Sequence, residues 1–65
     1  MEPELLFRVQ CGDGKICPAA YRLDDRTALV QGYIVEDSHG VELGPNEALV
    51  EIPIEVLIEA AHALK

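Results

Sequence analysis

The last thirteen residues, PIEVLIEAAHALK, predict a helix that is apolar on most of its circumference. Pro53 suits the first position of this helix, although Ile52 before it offers no side-chain cap. At about 100° per residue, the broadest apolar arc consists of Ile54, Leu57, Ile58, Ala61 and Leu64. A narrow polar strip consists of Glu55, Glu59 and His62. A second apolar strip consists of Val56, Ala60 and Ala63.

The second apolar strip poses a packing problem, because one small sheet that covers the broad arc cannot also cover the strip. Its side chains are small and could stay exposed, as scattered apolar groups often do. Alternatively they contact a second chain, since alanines let two backbones approach closely. A chain of 65 residues has a small core that oligomerisation often supplements, and twofold homodimers are the commonest oligomers. We therefore predict a homodimer interface formed by Val56, Ala60, Ala63 and Leu64.

The chain ahead of the helix predicts strands at 5–10, 19–24, 27–36 and 48–52. The first two stretches alternate apolar and polar residues in the period of a half-buried strand. In the first, alternation places Leu5, Phe7 and Val9 on one face. The third is rich in β-branched and aromatic residues, and Gly32 inside it indicates a bulge or a sharp bend.

These elements predict an α+β fold, namely a small curled antiparallel sheet of three to four strands with one C-terminal helix. Consecutive strands joined by short turns are expected to pair antiparallel. We expect one domain at 5–65 preceded by a flexible leader at 1–4. The segment CGDGK at 11–15 resembles a phosphate-binding loop, but it lacks the longer motif and a following helix, so a hairpin turn is the better interpretation.

Charge is distributed unevenly along the chain, whose net charge is −7. Residues 1–26 are nearly balanced, whereas residues 27–65 contain seven carboxylates and only Lys65 to oppose them. This distribution argues against direct nucleic-acid binding, since phosphate affinity comes largely from Lys and Arg. The acidity could serve solubility or form a face for a basic partner. The residues of that predicted face are Glu36, Asp37, Glu42, Glu47, Glu51, Glu55 and Glu59.

Cys11 and Cys17 flank the predicted turn and admit three interpretations. They are free thiols, as expected in a reducing cytosol, or a redox-sensitive disulfide, if the turn brings them close enough. The third interpretation is a zinc site, although their spacing is wider than usual for structural zinc, and His39, His62 or acidic residues would have to supply the remaining ligands.

We expect no enzymatic activity and no cofactor. Ser38, Thr27 and the two tyrosines lie in no recognisable nucleophile motif, and a chain this short has little material for a closed pocket. No apolar run is long enough to span a membrane, and the acidic start of the sequence does not resemble a secretory signal. We therefore predict a cytoplasmic protein without a membrane partner.

Three stretches, CPAAYRLDD, ALVQGYIV and ALVEIPIEVLIEAA, resemble a group of small acidic bacterial proteins of unknown function. The resemblance covers most of residues 11–61 and lies in a Cys-Pro…Tyr pattern, a V-Q-G-Y strand and a V-E-I-P junction between strand and helix. Members of that group look like neighbours of helix-turn-helix regulators. The resemblance implies a regulatory partner and identifies no catalytic residue.

The functional prediction is a non-enzymatic protein-interaction module, a small regulatory accessory protein that acts as a homodimer. Its acidic face would bind a basic partner such as a DNA-binding regulator. The alternative is a thiol- or zinc-dependent sensor that uses Cys11 and Cys17. A third hypothesis is a small enzyme or ligand carrier with a pocket between sheet and helix.

Overall fold

The computed structural model describes residues 2–10 and 17–64. Five strands and one helix follow in the order β1 (Glu4–Arg8), β2 (Ala19–Arg22), β3 (Ala28–Gln31), β4 (Tyr33–Val35), β5 (Leu49–Glu51) and α1 (Ile54–Ala63). The strands form two antiparallel sheets, one with the order β1-β2-β3 and one that pairs β4 with β5. The predicted α+β class is confirmed, but the strands are divided between two sheets instead of forming one curled sheet. In the described part of the chain, no helix is long and apolar enough to cross a membrane.

Gly32 divides the predicted third strand into β3 and β4, which belong to different sheets. A Cβ atom at this position would lie 2.6 Å from the carbonyl oxygen of Glu51 and 2.6 Å from Cγ2 of Ile52. The chain after β5 therefore passes over Gly32 at a distance that only glycine allows. The strand is interrupted at Gly32, where the sequence indicated a bulge or a sharp bend, and the close approach explains why glycine occupies this position.

Strand β1 does not alternate as predicted. Leu5 pairs with Tyr21 and Phe7 with Ala20, so Leu6 is the extra residue of a β-bulge. Because consecutive residues of β2 face opposite sides of the sheet, Leu5 and Phe7 also face opposite sides. Leu5 is exposed, whereas Leu6 packs with Phe7 against the core. The strand also begins at Glu4, which the sequence assigned to the leader.

Helix α1 packs against β1 and β2. The backbone N–H of Val56 donates to the carbonyl of Pro53 at 3.0 Å. Pro53 is the N-cap residue and makes no side-chain cap hydrogen bond, so the helix begins one residue later than predicted, at Ile54. The apolar residues buried in the described chain are all small or medium in size: Cys17, Ala19, Ala20, Val56 and Ala60. Small residues on both elements let the helix backbone lie close to β2.

The helix therefore buries a different face from the one predicted. Val56 is fully buried and Ala60 nearly so, and both contact Ala20 in the core cluster. The prediction that Val56 and Ala60 form an interface with a partner is wrong, because the chain's own sheet covers them. The prediction gave the core to the larger helix residues, whereas the helix residues buried with Ala20 are Val56 and Ala60. Phe7 is partly buried and packs against this cluster.

The chain exposes more surface than a protein of its size usually does. Its accessible surface is 5464 Å², whereas the average for monomers of 7.1 kDa is about 4,100 Å². The radius of gyration is 12.9 Å, against about 11 Å for a compact domain of 65 residues. The chain thus exposes about a third more surface than the average monomer of its mass.

Candidate functional site

The broad apolar arc of α1 faces solvent. Ile54 is 74% exposed, Leu57 58% and Ile58 50%. Ala61 and Leu64 are also exposed. We call these five residues the exposed apolar face of α1: Ile54, Leu57, Ile58, Ala61 and Leu64. No charged residue lies inside this arc, since the polar strip occupies a separate part of the helix.

Covering this face would be energetically substantial. Its four large side chains are exposed to an extent equal to about 2.3 complete side chains. At about 1.5–3 kcal/mol for each fully buried aliphatic side chain, their removal from water is worth roughly 3–7 kcal/mol per chain. Helix α1 thus buries Val56 and Ala60 against its own sheet and exposes its larger aliphatic side chains.

A second exposed apolar feature lies on β4 and β5. Ile34 and Val50 are direct cross-strand partners, so their side chains lie together on one face of the sheet. Ile34 is 79% exposed and Val50 41%. We call these two residues the Ile34–Val50 pair. A two-stranded sheet is marginally stable by itself in water, so an uncovered apolar pair on such a sheet is a candidate docking surface.

The predicted acidic face is fully exposed, but it is not one continuous stretch of structure. Five of its carboxylates lie in β5 and in the segment that connects β4 to β5, and two lie on the polar strip of α1. The five in the sheet region are Glu36, Asp37, Glu42, Glu47 and Glu51. Between residues 27 and 64 the sequence contains no Lys or Arg, so the Ile34–Val50 pair belongs to a segment that carries only negative charge.

Two of these carboxylates also order the connecting segment. The backbone N–H of His39 donates to Oδ1 of Asp37 at 2.9 Å, and the N–H of Gly44 donates to Oε1 of Glu47 at 2.6 Å. Asn46, beside Glu47, has a positive φ of 64°, a conformation that asparagine tolerates better than most residues. The segment is thus held in turns by the same side chains that give it negative charge.

Cys17 is 5% exposed and is disulfide-bonded. The free-thiol interpretation is therefore wrong for Cys17, and a sulfur in a disulfide is not a thiolate that could bind zinc. Cys11 lies outside the described residues. Within the two described ranges, no three His, Cys, Asp or Glu side chains are grouped closely enough to hold a metal ion. The hypothesis of a redox-sensitive sensor stays a prediction.

A shallow pocket of about 150 Å³ lies where the β2–β3 turn meets the end of α1. The Arg26 backbone N–H donates to Oδ1 of Asp24 at 2.8 Å. This hydrogen bond favours the ionised carboxylate and, with weaker contributions from Thr27, lowers the pKa of Asp24 below its ordinary value of 3.8. Arg22, also in the pocket lining, forms an ion pair with Glu4 at 3.3 Å. These charged groups hold the turn and the edge of the sheet together.

The outer face of the first sheet carries a polar network that the sequence did not indicate. A guanidinium nitrogen of Arg8 donates to the hydroxyl of Tyr21, which in turn donates to Oε1 of Gln31 at 3.0 Å. The three residues belong to β1, β2 and β3. The network therefore links the three strands across one face of the sheet, and we interpret it as a contact that stabilises the sheet.

The predicted site residues are thus divided among several locations. Val56 and Ala60 lie in the core, whereas Ala63 and Leu64 are exposed near the end of α1. The sequence pattern placed the broad apolar arc of α1 in the core, whereas this arc faces solvent. It did not identify the Ile34–Val50 pair. The register of β4 and β5 reveals that pair, and the sequence does not state the register.

No protein-family model, curated protein or solved structure shows significant similarity to this chain.

Proposed function

We propose that this protein is a non-enzymatic protein-interaction module, a small accessory regulatory protein that acts as a homodimer and presents an acidic surface to a basic partner. The observation that carries the proposal is the exposed apolar face of α1. The resemblance to small acidic proteins near helix-turn-helix regulators suggests a DNA-binding regulator as the partner. The acidic surface itself argues against DNA as a direct ligand.

The dimer contact is the exposed apolar face of α1. This face has no charge inside it, so two copies can meet there without bringing carboxylates into the contact. A core made largely of alanine also leaves a chain of 65 residues in need of the added burial.

The energies make this dimer sensitive to single substitutions. Two helix faces together contribute roughly 7–14 kcal/mol, which is comparable with the roughly 4–15 kcal/mol that association costs. Leu57 is 58% exposed, so its loss from both chains removes about 2–3 kcal/mol, or about 30- to 150-fold in the dissociation constant.

The test is a Leu57→Lys substitution, with Ala63→Lys as the matched control. Both positions are exposed on α1, and both changes add one positive charge. Because lysine reduces the magnitude of the net charge of −7, a loss of dimer cannot come from a larger net charge. Sedimentation velocity over a range of concentrations should show a dimeric wild type, a dimeric Ala63→Lys variant and a monomeric Leu57→Lys variant.

Circular dichroism should show the same helix content in all three proteins, which separates dissociation from unfolding. A wild-type protein that is monomeric at every concentration refutes the homodimer. A Leu57→Lys variant that dimerises as tightly as wild type refutes the assignment of the interface to this face of α1. Loss of the dimer in Ala63→Lys with retention in Leu57→Lys would place the contact on the other side of the helix.

A further inference from the structure

We infer that the Ile34–Val50 pair is the docking site for a basic amphipathic segment of another protein, in which Lys or Arg residues accompany large apolar side chains. This inference rests on the acidic-surface function proposed above and locates that function in the molecule. The pair is the part of the β4–β5 sheet where two aliphatic side chains lie side by side and face solvent.

The energetic reason to expect an occupant lies in the sheet itself. Strands β4 and β5 pair only with each other among the described strands, and a two-stranded sheet gains little from its own hydrogen bonds. Ile34 is the most exposed of the large apolar residues in the described chain, at 79%. A ligand that covers it therefore removes nearly a whole isoleucine side chain from water.

The charge of the segment that carries the pair selects the kind of occupant. The segment from 32 to 53 holds five exposed carboxylates and neither Lys nor Arg. A second copy placed here would bring two such segments together, and like charges facing each other across an interface oppose association. A segment with Lys or Arg would instead be attracted and accelerated in its approach.

The apolar pair distinguishes this site from a simple acidic patch. A polycation without apolar side chains could neutralise the carboxylates but would leave Ile34 and Val50 in water. A segment with both Lys or Arg and large apolar side chains neutralises the carboxylates and also covers Ile34 and Val50. Its apolar side chains determine where on the acidic surface it binds. The two apolar surfaces of the chain thus have different partners, with a second copy on α1 and a basic segment on the β4–β5 sheet.

The experiment uses two synthetic fluorescent peptides and measures their binding to the full chain by anisotropy. One peptide is an amphipathic helix of leucine and lysine, and the other has serine in place of every leucine and keeps the same charge. The protein variants are Ile34→Ser, Val50→Ser and the control Leu5→Ser, which changes an exposed leucine of β1 outside both proposed contacts. Titrations at about 0.05 M and about 0.5 M salt measure the electrostatic contribution.

We expect the leucine–lysine peptide to bind wild type at least about tenfold more tightly than the serine–lysine peptide, and to bind more weakly at high salt. Ile34→Ser and Val50→Ser should each weaken its binding several-fold, and Leu5→Ser should leave it within about twofold. Ile34 and Val50 are exposed, so circular dichroism should show folded variants.

Other results overturn the inference in distinguishable ways. Equal binding of the two peptides, with no effect of Ile34→Ser, leaves the acidic-surface function standing and removes the apolar docking site. Weakening by Leu5→Ser and not by Ile34→Ser moves the site to the first sheet and contradicts the inference. Failure of both peptides to bind at low salt contradicts the acidic-surface function together with the inference.

Discussion

Gly32 offers a direct test of the way in which the two sheets meet. A methyl group added there would lie 2.6 Å from the carbonyl oxygen of Glu51 and 2.6 Å from a methyl of Ile52. Both distances are far below ordinary contact, and one of the two neighbours is a backbone atom that cannot rotate away. The backbone of Gly32 does not have a positive φ, so the expected cost of Gly32→Ala is steric.

The magnitude follows from two opposing effects. Overpacking costs about 1–3 kcal/mol, while replacement of glycine by alanine stabilises the folded state by about 0.4–1 kcal/mol through the unfolded chain. We therefore expect Gly32→Ala to lower the free energy of unfolding by about 1–2 kcal/mol. The total for a chain of 65 residues is about 3–10 kcal/mol, so the loss should shift the melting temperature by several degrees.

Two other glycines provide controls for this experiment. At Gly44 the nearest atom to an added Cβ is Oε1 of Glu47 at 3.2 Å, the end of a flexible side chain, so Gly44→Ala should be neutral or slightly stabilising. At Gly40 the space is open but φ is +82°. Gly40→Ala should therefore lose about 1–2 kcal/mol through backbone strain alone.

Urea unfolding at one fixed protein concentration measures all three variants, because association would otherwise change the apparent stability. The expected order of stability places Gly44→Ala above both Gly32→Ala and Gly40→Ala. If Gly32→Ala is as stable as Gly44→Ala, the chain after β5 does not pass close to Gly32 and the steric explanation for the break between β3 and β4 fails.

Two further predictions concern the core and the β2–β3 turn. Val56→Ala should lower the free energy of unfolding by about 1–3 kcal/mol, whereas Val41→Ala, the same change at an exposed loop residue, should change it by less than about 0.5 kcal/mol in urea unfolding. Similar losses at both positions would contradict the burial of Val56. The pKa of Asp24 is lowered in the folded state, so its ionised form stabilises the fold above pH 3.8 and this contribution is lost as the pH falls through the lowered pKa. Asp24→Asn keeps an acceptor for the Arg26 N–H and should lose less stability than wild type on acidification below about pH 4. An identical acid profile would show that Asp24 does not contribute.

The sequence predicted those features that depend on local chemistry. Pro53 marks the start of α1, and the glycine in the third predicted strand marks the break between β3 and β4. Both follow from what single residues allow the backbone to do. The concentration of carboxylates after residue 27 is likewise a property of the sequence alone.

The features that the sequence did not predict depend on register and on available volume. The bulge at Leu6 changes the faces of the residues in β1, and simple alternation does not reveal it. The burial of Val56 instead of Leu57 depends on which face of α1 packs against β1 and β2, and the helix pattern alone does not reveal that face. The Ile34–Val50 pair likewise follows from a cross-strand register, not from the composition of either strand.

The short junction between β5 and α1 has a consequence for how binding events would influence each other. Only Ile52 and Pro53 separate the strand from the helix, and Ile52 packs against the core while Pro53 has a fixed φ. Such a rigid connection has little slack to absorb displacement of the β4–β5 sheet. A ligand that shifts this sheet would therefore reorient α1, and the two contacts would be allosterically coupled. Reciprocity then requires that self-association changes ligand affinity by the same factor by which the ligand changes self-association.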